Sequence, residues 1–172
     1  MTSDLKTAMR THACGELRAE HAGEPVALCG GVWRRRDHGG VTFVDLRDRE
    51  GLVQLVFHPE DSPDAHAAAQ HLGSESVVRV EGEVRARPQG TANPELPTGE
   101  VEVVVSGIEV PAEAETPPFV IEDRIEASEE LRLRYRYLDL RRPEMTKVLA
   151  LRFAINRIIR DEMEARGFLL GT

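Results

Sequence analysis

The side chains most able to do chemistry lie between positions 34 and 54. Arg34, Arg35 and Arg36 form a run of guanidiniums, each a planar fork of donors suited to a phosphate or a guanine edge. His38 follows in the turn Asp37-His38-Gly39-Gly40, and an imidazole both donates and accepts. Phe43 offers an aromatic face, and Gln54 an amide that both donates and accepts. Together these types suit recognition of a single-stranded nucleic acid rather than covalent chemistry. Each has a plainer reading beside it: Phe43 as core filler, Gln54 as a solvated polar face, the arginines as a solvated charge run. Asp45, Arg47, Asp48 and Arg49 are best taken as structural ion pairs.

A second basic stretch runs from Leu131 to Arg160, with nine Lys and Arg residues against Asp139 and Glu144. Arg141 and Arg142 stand out there as candidates for a nucleic-acid backbone, with pairing to Asp139 and Glu144 as the alternative. The net charge of −8 argues against a general strand binder, which needs a broad positive groove. Residues 1–113 hold 11 basic and 19 acidic residues, whereas residues 114–172 hold 11 of each, so any contact must come from local patches. The chain shows no catalytic constellation: no Gly-rich phosphate loop and no nucleophile-base pair. The six His residues show no metal spacing, and His66 and His71 read as solvated, so neither a metal nor a cofactor is expected for this chain. Cys14 and Cys29 fit no zinc or disulfide framework and read as small reduced thiols. No apolar run reaches the roughly 18–20 residues of a membrane helix, and Met1 to Lys6 lacks signal-peptide character, so a cytoplasmic protein without membrane contact is expected.

The elements that must position these groups follow from patterning. Val26–Trp33 reads as a strand, with Gly30-Gly31 marking a bulge or bend. Val41–Asp48 is a second strand, with Val41, Phe43, Asp45 and Arg47 on one face and Thr42, Val44 and Leu46 on the other. Leu52–His58 is a third. Ser62 caps a short helix that opens at Pro63 and runs to Leu72, ahead of Gly73. Ser76–Ala86 and Val101–Val110 complete five strands, separated by a loop rich in Pro, Asn and Gly. Three strands, a helix and two strands is the order of the OB-fold, a mainly β Greek-key barrel, although other small barrels with one helix share that spacing. Residues 1–113 are therefore assigned to the barrel, 114–143 to a linker or hinge, and 144–172 to a terminal helix. Within the hinge, Glu129 to Leu140 reads as one short helix, and Glu144 to Arg166 as a long one with an apolar stripe, stopped by Gly167.

Two stretches carry a resemblance. Gly30-Gly31-Val32-Trp33-Arg34-Arg35-Arg36-Asp37-His38-Gly39-Gly40-Val41-Thr42-Phe43-Val44-Asp45-Leu46-Arg47-Asp48, continuing to Gln54, resembles the N-terminal anticodon-binding barrel of bacterial aspartyl-tRNA synthetases. Arg134-Tyr135-Arg136-Tyr137-Leu138-Asp139-Leu140-Arg141-Arg142-Pro143-Glu144-Met145 resembles the hinge after it, and Asn93 to Glu100 resembles the loop between. The resemblance implies a class II enzyme that loads aspartate onto tRNA with ATP and Mg²⁺, acts as a homodimer and reads the G-U-C anticodon of tRNA-Asp. It implies that Phe43 stacks on an anticodon base, that Gln54 reads the central U and that Arg34 and Arg36 contact anticodon bases or backbone. Arg35, Arg141 and Arg142 are then expected on the tRNA backbone. The family's relaxed members, which also accept tRNA-Asn, tend to carry His at the position of His38. Gly31 departs from the family, which has Trp there, and Trp33 stands where a polar residue is common. Val56 replaces an aromatic residue. The ATP motifs and aspartate pocket of the family have no counterpart, so the chain alone is not expected to be catalytic. A free-standing OB-fold protein that binds single-stranded nucleic acid or a protein partner is the alternative.

Overall fold

A computed structural model describes residues 9–169, so the readings placed on Met1–Lys6 and on Leu170–Thr172 lie outside the described residues. The chain divides into two compact units, Met1–Pro117 and Pro118–Thr172.

In the first unit, β1 (Pro25–His38), β2 (Val41–Arg47), β3 (Leu52–Phe57), β4 (Val77–Ala86) and β5 (Val101–Ala112) close into a barrel in the order β1-β2-β3-β5-β4. The helix α1 (Pro63–Ala69) lies between β3 and β4. β3 and β5 pair in parallel, and the other neighbours are antiparallel. This is the five-stranded OB-fold that the order of elements predicts. Apolar residues at alternate strand positions supply its core: Leu28 and Val32 from β1, Val44 and Leu46 from β2, Leu55 and Phe57 from β3, each at most 1% exposed. Ala65 and Ala69 of α1 join them.

Several boundaries differ from the sequence reading. β1 runs five residues past Trp33 and takes in the arginine run, because His38 pairs with Val41 across a two-residue turn. Gly39 (φ 60°) and Gly40 (φ 81°) supply the left-handed dihedrals that such a tight hairpin demands. α1 ends at Ala69, and the Ser62 hydroxyl donates to the Ser106 carbonyl (3.0 Å) instead of capping it. Gly31 is where β1 changes partners, opposite both Arg47 of β2 and Val77 of β4, but the register shift itself falls between Val32 and Arg34. A Cβ on Gly30 would come within 2.6 Å of the Arg47 carbonyl, so that position demands glycine. Gly31 leaves ordinary room for a side chain: an added Cβ would stand 3.8 Å from the Glu75 carboxylate.

In the second unit, the helix expected over 129–140 is two pieces, α2 (Glu129–Arg134) and α3 (Arg136–Asp139), broken at Tyr135 (φ −109°, ψ 48°). Phe119, Ile121 and Leu138 form a small core with Leu131 and Tyr135 packed on it. Asp139 is fully buried and accepts from Arg136 (2.5 Å) and from Arg142 Nε (2.7 Å), with Arg132 at 3.7 Å. The last helix, α4 (Pro143–Ala165), has proline at its first turn and is followed, after Arg166, by Gly167 (φ 81°). Most of its apolar residues, among them Leu151, Phe153 and Ile158, are exposed. Among the described residues, no helix is long and apolar enough to cross a membrane.

Candidate nucleic-acid interface

Pairing across β1, β2 and β3 settles which side chains share a face, because residues directly opposite on neighbouring strands point the same way. Thr42, Val44 and Leu46 are buried inside, so Phe43 and Asp45 face outward. Phe43 pairs with Arg36, Asp45 with both Arg34 and Gln54, and Val41 with His38. Arg34, Arg36, His38, Phe43 and Gln54 therefore stand on one outer face. Phe43 is half-buried and lies outside the barrel core, which removes its reading as core filler. Phe57, next to the non-aromatic Val56, is 1% exposed and belongs to the core.

The outer face is wired by polar contacts. Arg36 Nη2 donates to Asp45 Oδ1 (2.9 Å) and reaches Gln54 Oε1 (3.4 Å), while Gln54 Nε2 donates to Glu102 Oε2 (3.1 Å). A carboxylate only accepts, so Glu102 fixes which end of the Gln54 amide faces it. A groove of about 550 Å³ opens over this network, lined by Arg36, Asp37, His38, Phe43, Gln54, Arg87, Thr91 and Asn93.

Arg87, Thr91 and Asn93 were missed from the sequence. They sit just past β4 in the loop to β5, one of the loops through which OB-folds hold oligonucleotides, and that placement was the available signal. The loop is held closed by Asn93 and Gly99, whose backbones bond at 2.9 Å and where a Cβ on Gly99 would strike the Asn93 carbonyl. Arg87 Nε donates to the Val101 carbonyl (3.0 Å). Burial lowers the Arg87 pKa from its ordinary value; Glu102 and Asp45 oppose this, and Arg36 adds to it.

The remaining candidates separate. Arg35 lies on the opposite face of β1, across from buried Val44, and its guanidinium donates to the Gln70 carbonyl at the end of α1. Arg142 is 5% exposed and its guanidinium faces Asp139 and Asp123 inside the second unit, so the expected pairing with Asp139 is present and Asp123 stands where Glu144 was expected. Arg141 is exposed. Arg47 pairs with Glu75 (2.6 Å), Asp48 with Arg10 (3.5 Å) and Arg49 with Glu50 (3.9 Å).

Two histidine readings change. His66 is half-buried with its Nε2 sequestered, whereas His71 is exposed. The folded lead-in to β1 brings ligand atoms of His12, His21 and Glu24 within 4.8 Å of one another, a grouping that sequence spacing did not reveal. His21 Nδ1 accepts from the Arg18 backbone N–H (2.9 Å), which engages that ring in local structure. Cys14 is fully buried, and burial with Asp48 beside it pushes its thiol pKa well up.

The family of OB-fold nucleic acid binding domains matches residues 26–111, and the class II tRNA synthetases (D, K and N) match residues 128–170. An aspartate–tRNA(Asp/Asn) ligase of Moorella thermoacetica is 57% identical over 159 residues, which is 92% of this chain. The chain spans only about a quarter (26%) of that curated relative's length. Among solved structures, asparaginyl-tRNA synthetase from Pyrococcus horikoshii, complexed with asparaginyl-adenylate, superposes with a TM-score of 0.78 at 29% identity, over 96% of this chain and 37% of its own. Aspartyl tRNA synthetase from Entamoeba histolytica shares the fold, with a TM-score of 0.84 at 22% identity, over 97% of this chain and 40% of its own.

Proposed function

Because the chain belongs to the family of OB-fold nucleic acid binding domains, in the anticodon-binding form of the aspartyl-tRNA synthetases, we propose that its groove reads the anticodon loop of tRNA-Asp and also that of tRNA-Asn. The observation that carries this reading is convergence: Arg36, His38, Phe43 and Gln54, from three stretches of β1, β2 and β3, line one groove with Arg87, Thr91 and Asn93.

Phe43 supplies a half-buried ring for stacking, held by the strand beneath it. Gln54, oriented by Glu102 and Arg36, presents its amide to the Watson–Crick edge of a stacked pyrimidine. Arg36 is steadied by Asp45 with half its side chain still exposed, so its remaining donors face a base edge or a phosphate. His38 at the groove's rim donates or accepts, which serves the C of one anticodon and the U of the other. Arg141, exposed on the second unit, serves as a phosphate contact, which positions the loop without specifying it. In the whole synthetase, a homodimer of the cytoplasm, this binding selects the tRNA that receives aspartate.

Calorimetric titration of anticodon stem-loops bearing G-U-C, G-U-U and an unrelated triplet tests the proposal. The first two are expected to bind within about tenfold of each other, or 1.4 kcal/mol, and the third more weakly. Equal binding of all three would overturn anticodon reading, and a G-U-C preference beyond tenfold would overturn relaxed recognition.

A further inference from the structure

Successive side chains on a strand point to opposite faces, yet the Arg34 guanidinium lies 4.8 Å from the centre of the Trp33 ring. The register shift explains it. Val32, opposite Leu46, points into the core, so Trp33 points out; Arg36, opposite Phe43, points out, so Arg34 does too. The bulge leaves Trp33 as the extra residue beside Arg34, which opposes Asp45, and puts an indole and a guanidinium side by side on the face that carries the groove. Neither lines the groove itself. Arg34 stands two residues, about 7 Å, along β1 from Arg36 at the groove's edge. Trp33 is half-buried and its backbone carbonyl accepts from the Ser74 hydroxyl (3.4 Å), whereas Arg34 is exposed.

We propose that the Trp33–Arg34 stack is a separate subsite for one nucleobase of the anticodon loop, immediately flanking the triplet that the groove holds. The base lies on the guanidinium plane, itself backed by the indole. Single-stranded bases stack on arginine planes as on aromatic rings, and a cation over indole is attracted to the ring face, which keeps that plane flat. The chemistry recognised is a π-face of any base, so the subsite adds affinity without sequence preference. This inference rests on the anticodon reading of the neighbouring groove.

Trp33 is the chain's single tryptophan, so its fluorescence reports on the subsite alone. The full chain is titrated with the G-U-C stem-loop by calorimetry and by tryptophan emission, using intact RNA and RNAs made abasic at the nucleotide before or after the triplet. Binding of intact RNA is expected to change Trp33 emission. One of the abasic RNAs is expected to bind about fivefold or more weakly and to leave the emission largely unchanged. Trp33→Leu and Arg34→Lys should weaken intact RNA similarly, and neither should discriminate further against the corresponding abasic RNA. Arg34→Lys keeps the charge, so a loss there separates stacking from phosphate pairing. Heat released with no change in emission, and abasic RNAs that bind as intact RNA does, would overturn the subsite and leave the anticodon reading standing. No calorimetric binding of intact RNA would overturn both.

Discussion

Replacing Phe43 with Ala separates a binding platform from a core residue, and Phe57→Ala is its control. The two aromatics sit on adjacent antiparallel strands but on opposite faces: Phe43 is half-buried at the groove, and Phe57 is 1% exposed inside the barrel. Truncating Phe43 removes roughly 100 Å² of apolar area from partial shelter, and the space left opens onto the groove, so no closed cavity forms. At about 25 cal/mol per Å², the stability lost is about 1–2 kcal/mol after allowing for the area that was already wet. Phe57→Ala leaves a closed void and should cost about 3–5 kcal/mol. For RNA the order reverses. Loss of one base stack should weaken the G-U-C stem-loop by about 1–3 kcal/mol for Phe43→Ala, which is about five- to 150-fold. Phe57→Ala, studied where it remains folded, should change affinity by less than threefold. Urea unfolding gives the stability arm and calorimetry the affinity arm. A Phe43→Ala protein that loses more than 3 kcal/mol of stability but binds RNA unchanged would refute both the assignment of faces and the role of the ring.

Other outcomes follow from the same geometry. Exchanging His38 for Leu should raise the preference for the G-U-C over the G-U-U stem-loop, read as the ratio of two dissociation constants; an unchanged ratio removes His38 as the cause of relaxed recognition. Arg141→Ala should weaken matched and mismatched loops alike and flatten the dependence of log K on log salt by about 0.7–0.9, whereas Arg142→Ala should instead destabilise the second unit by about 1.5–3 kcal/mol, because it removes a charge-assisted hydrogen bond from buried Asp139 and leaves it only Arg136 and Arg132. Burial pushes the Asp139 pKa up, but the Arg142 hydrogen bond and the charges of Arg142, Arg132 and Arg136 more than offset it and hold the pKa below its ordinary value. The stabilisation it gives is therefore complete above the ordinary carboxylate range and is lost as pH falls through the lowered folded-state pKa, and Asp139→Asn should flatten the acid limb of unfolding of the second unit. Cys14 should resist a thiol reagent in the native protein at pH 8 and react on unfolding; prompt native labelling at Cys14 would contradict its burial and raised pKa.

Sequence by itself marked the five strands and the helix of the barrel, because the buried sides of the strands, Val44 and Leu46 on one and Val53, Leu55 and Phe57 on the next, recur at a local period of two, and local period and turn residues need no knowledge of distant contacts. It also marked Arg36, His38, Phe43 and Gln54, whose residue types carry their chemistry wherever they are placed. Tertiary structure alone decided the face on which each arginine of the run falls. Had β1 kept strict alternation outward from buried Val32, Arg34 and Arg36 would point inward and Arg35 outward; one extra residue at Trp33 reverses this. A bulge depends on pairing with β2, so no local pattern announces it. The same holds for Arg87, Thr91 and Asn93, which meet the groove only because β4 and β5 close the barrel beside β3 and β1. Arg142 and Arg141 are adjacent and chemically identical in sequence, yet one is buried against Asp139 and the other exposed. A salt bridge forms where the packed backbone brings opposite charges together out of water, and composition cannot say which of two neighbours that will be.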